Sequence, residues 1–207
     1  MIELIAFLGN PGPEYQNNRH NAGRLLAAVL PFALSWQKKY KGLYAGLDSR
    51  ALKPPSSPVD GPDGLKLPAL PPRLHFLMPE TYMNLSGESV KAAASFFKIP
   101  PEKILVIHDE LELPLGVAAF KFSGGLGGHN GLRSMKSCFG TADFWRLRIG
   151  IGRPNHDNIS GWVLSDFGNP EKPVLDQVLE ACASALTRSL LEGPEALLPE
   201  WNKKKIG

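Results

Sequence analysis

Cysteine is nearly absent from this sequence: Cys138 and Cys182 are the only two in 207 residues. Two thiols so far apart form neither a disulfide framework nor a zinc pattern, which suits a reducing compartment and leaves them as small packed hydrophobes. Long apolar runs are missing as well. The opening Met1-Ile2-Glu3-Leu4-Ile5-Ala6-Phe7-Leu8-Gly9 is too short for a bilayer span and lacks the basic start of a signal or transit peptide. No later run approaches the roughly 18 apolar residues of a membrane helix. A cytoplasmic protein without a membrane partner is expected. Nor is there a large excess of one charge: 23 Lys and Arg against 20 Asp and Glu leave +3 and a pI near 8.8. The chain is therefore no polycation built to coat nucleic acid, although a local basic face stays open.

Several catalytic signatures are absent too. The glycine-rich stretch fits neither G-x-x-x-x-G-K-[ST] nor G-x-G-x-x-G, which excludes the common nucleoside-triphosphate and dinucleotide sites. No serine sits in a G-x-S-x-G elbow, and no H-E-x-x-H occurs. The five histidines, His20, His75, His108, His129 and His156, show no paired metal-ligand spacing, so neither a metal nor a cofactor is expected.

What is present is an ordinary globular composition, 43% hydrophobic and 21% charged, at a length that suits one domain. The 21 glycines and 19 prolines point to many turns. The apolar opening predicts a buried first strand, and Asn10-Pro11-Gly12-Pro13 a turn; a helix through Leu25, Leu26 and Val29 follows, ended by Pro31. Tyr44 to Asp48 is a short strand. Residues 53–72, KPPSSPVDGPDGLKLPALPP, read as an insertion loop. Leu74 to Met78 resumes as a strand, followed by a helix capped by Ser86 with Val90, Ala93, Ala94 and Phe97 as its apolar stripe. Ile104 to His108 is a central strand covered on both faces. Val117 to Ser123 alternates, with Ala119 and Lys121 on one side. A helix runs from about His129 to Cys138, with Arg133 and Lys136 sharing a face. Arg146 to Ile151 is a strand with both arginines on one surface, and Val174, Leu175, Val178, Leu179, Cys182 and Leu186 form the stripe of a long C-terminal helix. The alternation of strands and helices predicts a single-domain α/β fold. Its sheet is mixed, largely parallel, twisted and flanked by helices, with the ligand crevice at the strand carboxyl ends.

Polar residues stand at those ends: Asn10 after the first strand, His20 and Asn21 at the first helix, Asn84 before the second, Asp109 ending the central strand, and His129-Asn130 after the glycines. Each alone is an ordinary cap or turn former. Together they would converge on the crevice. His20 with Asp109 is the one acid–base pair: a carboxylate on one imidazole nitrogen fixes the tautomer and frees the other to take a proton. With no activated serine or cysteine the nucleophile is water, and asparagine amides would hold a carbonyl or oxyanion. The residues by themselves thus point to metal-free hydrolysis of an ester or amide.

The same stretches resemble the bacterial-type peptidyl-tRNA hydrolase family. Phe7-Leu8-Gly9-Asn10-Pro11-Gly12-Pro13-Glu14-Tyr15 with Arg19-His20-Asn21-Ala22-Gly23 is similar to its first signature, and Pro79-Glu80-Thr81-Tyr82-Met83-Asn84-Leu85-Ser86-Gly87 to its second. His108-Asp109-Glu110-Leu111-Glu112-Leu113-Pro114, followed by Gly124-Gly125-Leu126-Gly127-Gly128-His129-Asn130-Gly131, resembles its third. The resemblance implies a peptidyl-tRNA substrate and hydrolysis of the ester to the terminal ribose by one domain over 1–207, interrupted at about 53–72, working as a monomer. It implies His20 as general base, Asp109 as its orienting partner, and Asn10 and Asn84 gripping the peptide end and the oxyanion. Tyr15, Tyr82 and Met83 would line the cleft, with Gly127, His129 and Asn130 holding water or the tRNA 3′ end. Lys121 and Arg148, with Arg133, would contact tRNA phosphate. Asn18 departs from the family's usual threonine, and the segment after Arg153 lacks a lysine that some members carry. Two rivals are a noncatalytic RNA-binding relative and a generic small-molecule esterase, for which the basic residues would be solvated charge only.

Overall fold

The structure is a computed structural model that describes residues 1–52, 70–155 and 157–206. The expected proline-rich insertion lies outside the described residues except for its last three, and so does His156. The elements, in chain order, are β1 (Leu4–Phe7), α1 (Ala22–Ala28), β2 (Gln37–Lys39), β3 (Gly42–Asp48), β4 (Arg73–Pro79), α2 (Ser86–Phe97), β5 (Ile104–Glu110) and β6 (Val117–Phe122). Then come α3 (Asn130–Phe139), β7 (Trp145–Gly150), α4 (Ile159–Val163), α5 (Lys172–Glu192), α6 (Pro194–Leu197) and β8 (Lys204–Lys205). Short 3₁₀ turns intervene, among them Arg19–Asn21 and Met83–Leu85.

The strands form one sheet in the order β2-β3-β4-β1-β5-β7-β6-β8. Its centre is parallel, β4 with β1, β1 with β5 and β5 with β7. The outer pairings are antiparallel. The parallel character thus belongs to the four inner strands, and this suffices to put the carboxyl ends of β4, β1, β5 and β7 along one edge. β1 and β5 are buried on both faces, as strands under two helical layers must be. On one face Ile5, Phe7, Leu105, Ile107 and Leu147 pack with Leu26 of α1 and Leu175, Val178, Cys182 and Leu186 of α5. On the other, Leu4, Ala6, Leu77 and Val106 pack with Val90 and Ala93 of α2 and Leu132 and Met135 of α3.

Two local expectations are corrected. Ser86 does not cap α2. A 3₁₀ turn over Met83–Leu85 runs straight into the helix, so Leu85 occupies the cap position and the Ser86 hydroxyl donates back to the Met83 carbonyl at 2.9 Å. The surface expected for Arg146 and Arg148 is covered by the glycine-rich segment. Arg146 is buried, and its guanidinium donates to the carbonyls of Gly125 at 2.7 Å and Gly124 at 2.9 Å.

Candidate active site

The site is assembled where β1 and β5 end. α1 approaches this edge very closely: a Cβ on Gly23 would lie 2.6 Å from the Ile107 carbonyl oxygen and 2.7 Å from that of Leu8. Only glycine lets the helix start there, and its start carries the Arg19–Asn21 turn over the end of β5. Asn21 ties this turn to the residue after β1. Its Oδ1 accepts the Asn10 N–H at 2.8 Å and its Nδ2 donates to the Asn10 carbonyl at 3.0 Å. Asn10 is buried and its Oδ1 accepts the N–H of Met83 at 2.7 Å, which fixes the Met83–Leu85 turn. That leaves the Asn10 Nδ2 as a donor with no acceptor among the described residues.

His20 Nδ1 lies 2.8 Å from Asp109 Oδ1, as expected from the sequence. The carboxylate has a second partner that the sequence did not assign: His129 Nε2 sits 2.9 Å from the same oxygen. The other His129 nitrogen, Nδ1, caps α3 by accepting the N–H groups of Gly131 at 3.1 Å and Leu132 at 3.3 Å. A ring nitrogen that accepts backbone N–H carries no proton, so His129 is neutral and donates Nε2–H to Asp109. The signal for this was present, since a histidine in the N-cap position with its distal nitrogen free can reach a second acceptor. Its pairing across 20 residues was not visible in the pattern. Burial by itself raises the Asp109 pKa, but the imidazoles of His129 and His20, both hydrogen-bonded to its Oδ1, outweigh it and hold the carboxyl well below its ordinary value. His108 stands behind, buried, its ring 4.9 Å from that of His129 and its Nδ1 2.6 Å from the Asp109 carbonyl oxygen; burial drives its pKa well down and keeps it neutral.

His20 Nδ1, Asp109 Oδ1 and His129 Nε2 lie within 4.8 Å of one another and are the ligand-type cluster among the described residues. Each nitrogen here faces the carboxylate at hydrogen-bond distance, so a cation would have to displace both ring protons. The arrangement is that of an oriented base, with His20 Nε2 open to the crevice and without a partner among the described residues.

Two adjoining hollows meet at His20. One, of about 260 Å³, runs past Asp109, Glu110, Gly127, Gly128, His129 and Arg133. The other, of about 310 Å³, runs past Asn10, Tyr82, Met83, Asn84 and Leu164. Asn130, Ser160 and Val163 border both. The contribution of α4 was not foreseen, because five residues without a buried position leave no periodic signal. Tyr15, expected to line the cleft, lines neither hollow; it stands edge-on to Tyr82 of the second, with ring centroids 6.5 Å apart. A larger, mainly apolar groove of about 560 Å³, lined by Val29, Leu52 and Leu191, lies between the end of α1 and α5 and holds no imidazole, so size alone does not mark the chemistry.

The basic residues gather beside the first hollow. Lys121 pairs in register with Arg146 and Ala119 with Arg148, so all three cations share one face of the sheet. Arg148 is less free than its strand position predicts: its side chain is 17% exposed and its Nε donates to Glu110 Oε2 at 2.9 Å. Lys121 is half-buried over Gly124, while Arg133 is exposed and lies 3.5 Å from Asn130 Oδ1. Arg146 serves the loop instead, supporting a segment in which Gly124, Gly127 and Gly128 all take positive φ.

Fold and site together define an α/β protein with a carboxylate-anchored histidine in a crevice at the carboxyl edge of its sheet. Comparison with known proteins agrees. The family profile of peptidyl-tRNA hydrolases matches residues 4–207. The peptidyl-tRNA hydrolase of Treponema pallidum is 43% identical over 212 residues, covering 99% of this chain and 96% of its own. That of Delftia acidovorans is 43% identical over 207 residues, covering 100% and 89%. The crystal structure of the Acinetobacter baumannii enzyme superposes with a TM-score of 0.79 at 34% identity, over 100% of this chain and 97% of that one. The chain belongs to the peptidyl-tRNA hydrolase family.

Proposed function

We propose that this chain hydrolyses the ester joining a peptide to the 3′-terminal ribose of peptidyl-tRNA, releasing free tRNA and peptide. The observation that carries the reading is the imidazole of His20, held through Nδ1 by a buried carboxylate and open at Nε2. Water beside Nε2 attacks the ester carbonyl as its proton passes to that nitrogen, and the proton is then delivered to the departing ribose oxygen. Asp109 fixes the tautomer and stabilises the imidazolium that forms. The unengaged Nδ2 of Asn10 donates to the developing oxyanion, with Asn84 beside it. The peptide takes the hollow of Tyr82, Met83 and Leu164, with Tyr15 packed edge-on behind Tyr82. The terminal nucleotide takes the hollow of Gly127, His129 and Asn130, which leads towards Lys121, Arg133 and Arg148 and their phosphate contacts. In this reading the chain acts as a monomer in the cytoplasm, and the 53–72 insertion, which lies outside every motif, takes no part in the chemistry.

Hydrolysis of diacetyl-lysyl-tRNA tests the reading. The expected result is release of diacetyl-lysine by the wild-type chain, unaffected by chelators and abolished by His20→Ala. Binding of this substrate without hydrolysis would instead identify a noncatalytic RNA-binding relative, and equal turnover of simple esters a generic esterase.

A further inference from the structure

Helix α4 borders both hollows through Ser160 and Val163, yet none of its residues is buried. A five-residue helix does not persist in water by itself, and this one reaches the core only through the partly buried Trp162 and Val163. Its flanks supply the rest of the hold. On the side that follows it, the segment from Trp162 to Glu171 wraps around one residue, Arg19, which immediately precedes His20. The Arg19 backbone N–H donates to the Ser165 carbonyl at 3.0 Å. Its Nε donates to Ser165 Oγ at 3.3 Å, and its two terminal nitrogens donate to the two oxygens of Glu171 at 3.1 and 2.8 Å. The guanidinium lies 3.8 Å from the ring centre of Trp162 and 4.8 Å from that of Phe167. The Arg19 side chain is only 5% exposed, so these contacts are made out of water. Asn18, the departure from the family's usual threonine, adds a bond from Nδ2 to Asp166 Oδ1 at 2.6 Å and a β-bridge to the same residue. Trp162 in turn donates its Nε1–H to the Gly152 carbonyl at 2.8 Å, beyond the end of β7.

We propose that Arg19 is a positioning residue that sets α4 as the shared wall of the two hollows, so that the surface holding the substrate is registered against the neighbouring His20. A planar guanidinium is suited to this task because it stacks on an indole and forks onto a carboxylate at once, which an ammonium cannot do. His20 keeps its own anchor on Asp109, independent of Arg19. Loosening α4 therefore weakens the hold on substrate and leaves the proton transfer intact. The inference rests on the crevice being the ester site, and the test separates the two.

Arg19→Lys and Glu171→Gln are compared with wild type on diacetyl-lysyl-tRNA and by amide hydrogen exchange. In Arg19→Lys, exchange over 159–166 should quicken by about tenfold or more while the core of β1 and β5 is unchanged. KM should rise about fivefold or more, kcat should stay within about threefold, and the acid limb of the pH profile should not move. Glu171→Gln, at a more exposed position, should change the same quantities in the same direction by less. Unchanged exchange over 159–166, or a loss carried by kcat with KM constant, overturns the proposal. So does faster exchange throughout the chain with KM constant, which would make Arg19 a stabilising residue only. Should wild type leave the substrate intact, the ester reading fails and the exchange comparison decides about Arg19 by itself.

Discussion

A single carboxylate oxygen, Asp109 Oδ1, receives both His20 and His129. Its depressed pKa keeps Asp109 ionised through the neutral and mildly acidic range, so an acid limb of activity there is not its own titration. The same depression stabilises the fold above the ordinary carboxyl pKa, and that contribution is lost only as pH falls through the lowered value. Asp109→Asn keeps the shape but offers one N–H or O to two imidazoles that both donate. Turnover should fall by about 10- to 10⁴-fold, by analogy with other carboxylate-oriented histidines. His20→Ala should be the most damaging single change, and adding Asp109→Asn to it should cost little more, because groups acting as a unit are not additive. Comparable single effects that multiply in the double variant would show that Asp109 acts elsewhere. The phosphate cations differ in what their loss does. Lys121→Ala should weaken tRNA while sparing short ester mimics without a 5′-phosphate, and the log–log salt slope should drop by about one. Arg148→Ala should do the same and also lower Tm, since it leaves Glu110 without its ion partner.

The helices matter through where they begin. α1 touches the carbonyls of Leu8, just after β1, and of Ile107 in β5 through Gly23, and a methyl group there meets backbone atoms that have no rotamer to escape into. Gly23→Ala should therefore lift the Arg19–Asn21 turn from Asp109, destabilising the chain by about 1–3 kcal/mol and lowering kcat more than it raises KM. Equal damage to both, or to neither, would argue against that role. The sequence makes much of this scale legible. The strand at Ile104, the stripe of α5 and the opening of α3 at His129 all carry strong periodicity or cap chemistry, and they stand where they were expected. β2, α4, α6 and β8 were not foreseen because they are two to five residues long and owe their shape to what they pack against. At the site, His20 and Asp109 were recognisable as a pair. The sharing of Asp109 with His129, the burial of Arg146 and the wall from α4 depend on distances between segments far apart in the chain, and no local pattern encodes those.

At the scale of the molecule, helices cover both faces of the sheet and its edges are finished by short antiparallel strands. Among the described residues no helix is long and apolar enough to cross a membrane. Burial lowers the His75 pKa to about 4 from 6.5, so it is neutral in the fold, where its Nδ1 lies 2.9 Å from the Tyr44 hydroxyl. An unfolded chain binds a proton at this histidine below 6.5, so stability should decline as pH falls from that value to about 4. His75→Phe keeps the stack on Phe97, and its Tm should depend less steeply on pH across that window. An unaltered slope would mean that His75 titrates alike folded and unfolded. The division of the crevice by α4 has a consequence for the order of events after the ester breaks. On the assignment proposed above, the two fragments occupy adjoining hollows that share only His20, Asn130, Ser160 and Val163. Departure should then follow no obligatory sequence. Deacylated tRNA and free peptide should each compete with substrate yet tolerate one another, giving intersecting lines in a double-inhibition plot, whereas parallel lines would mean that the fragments leave by one door.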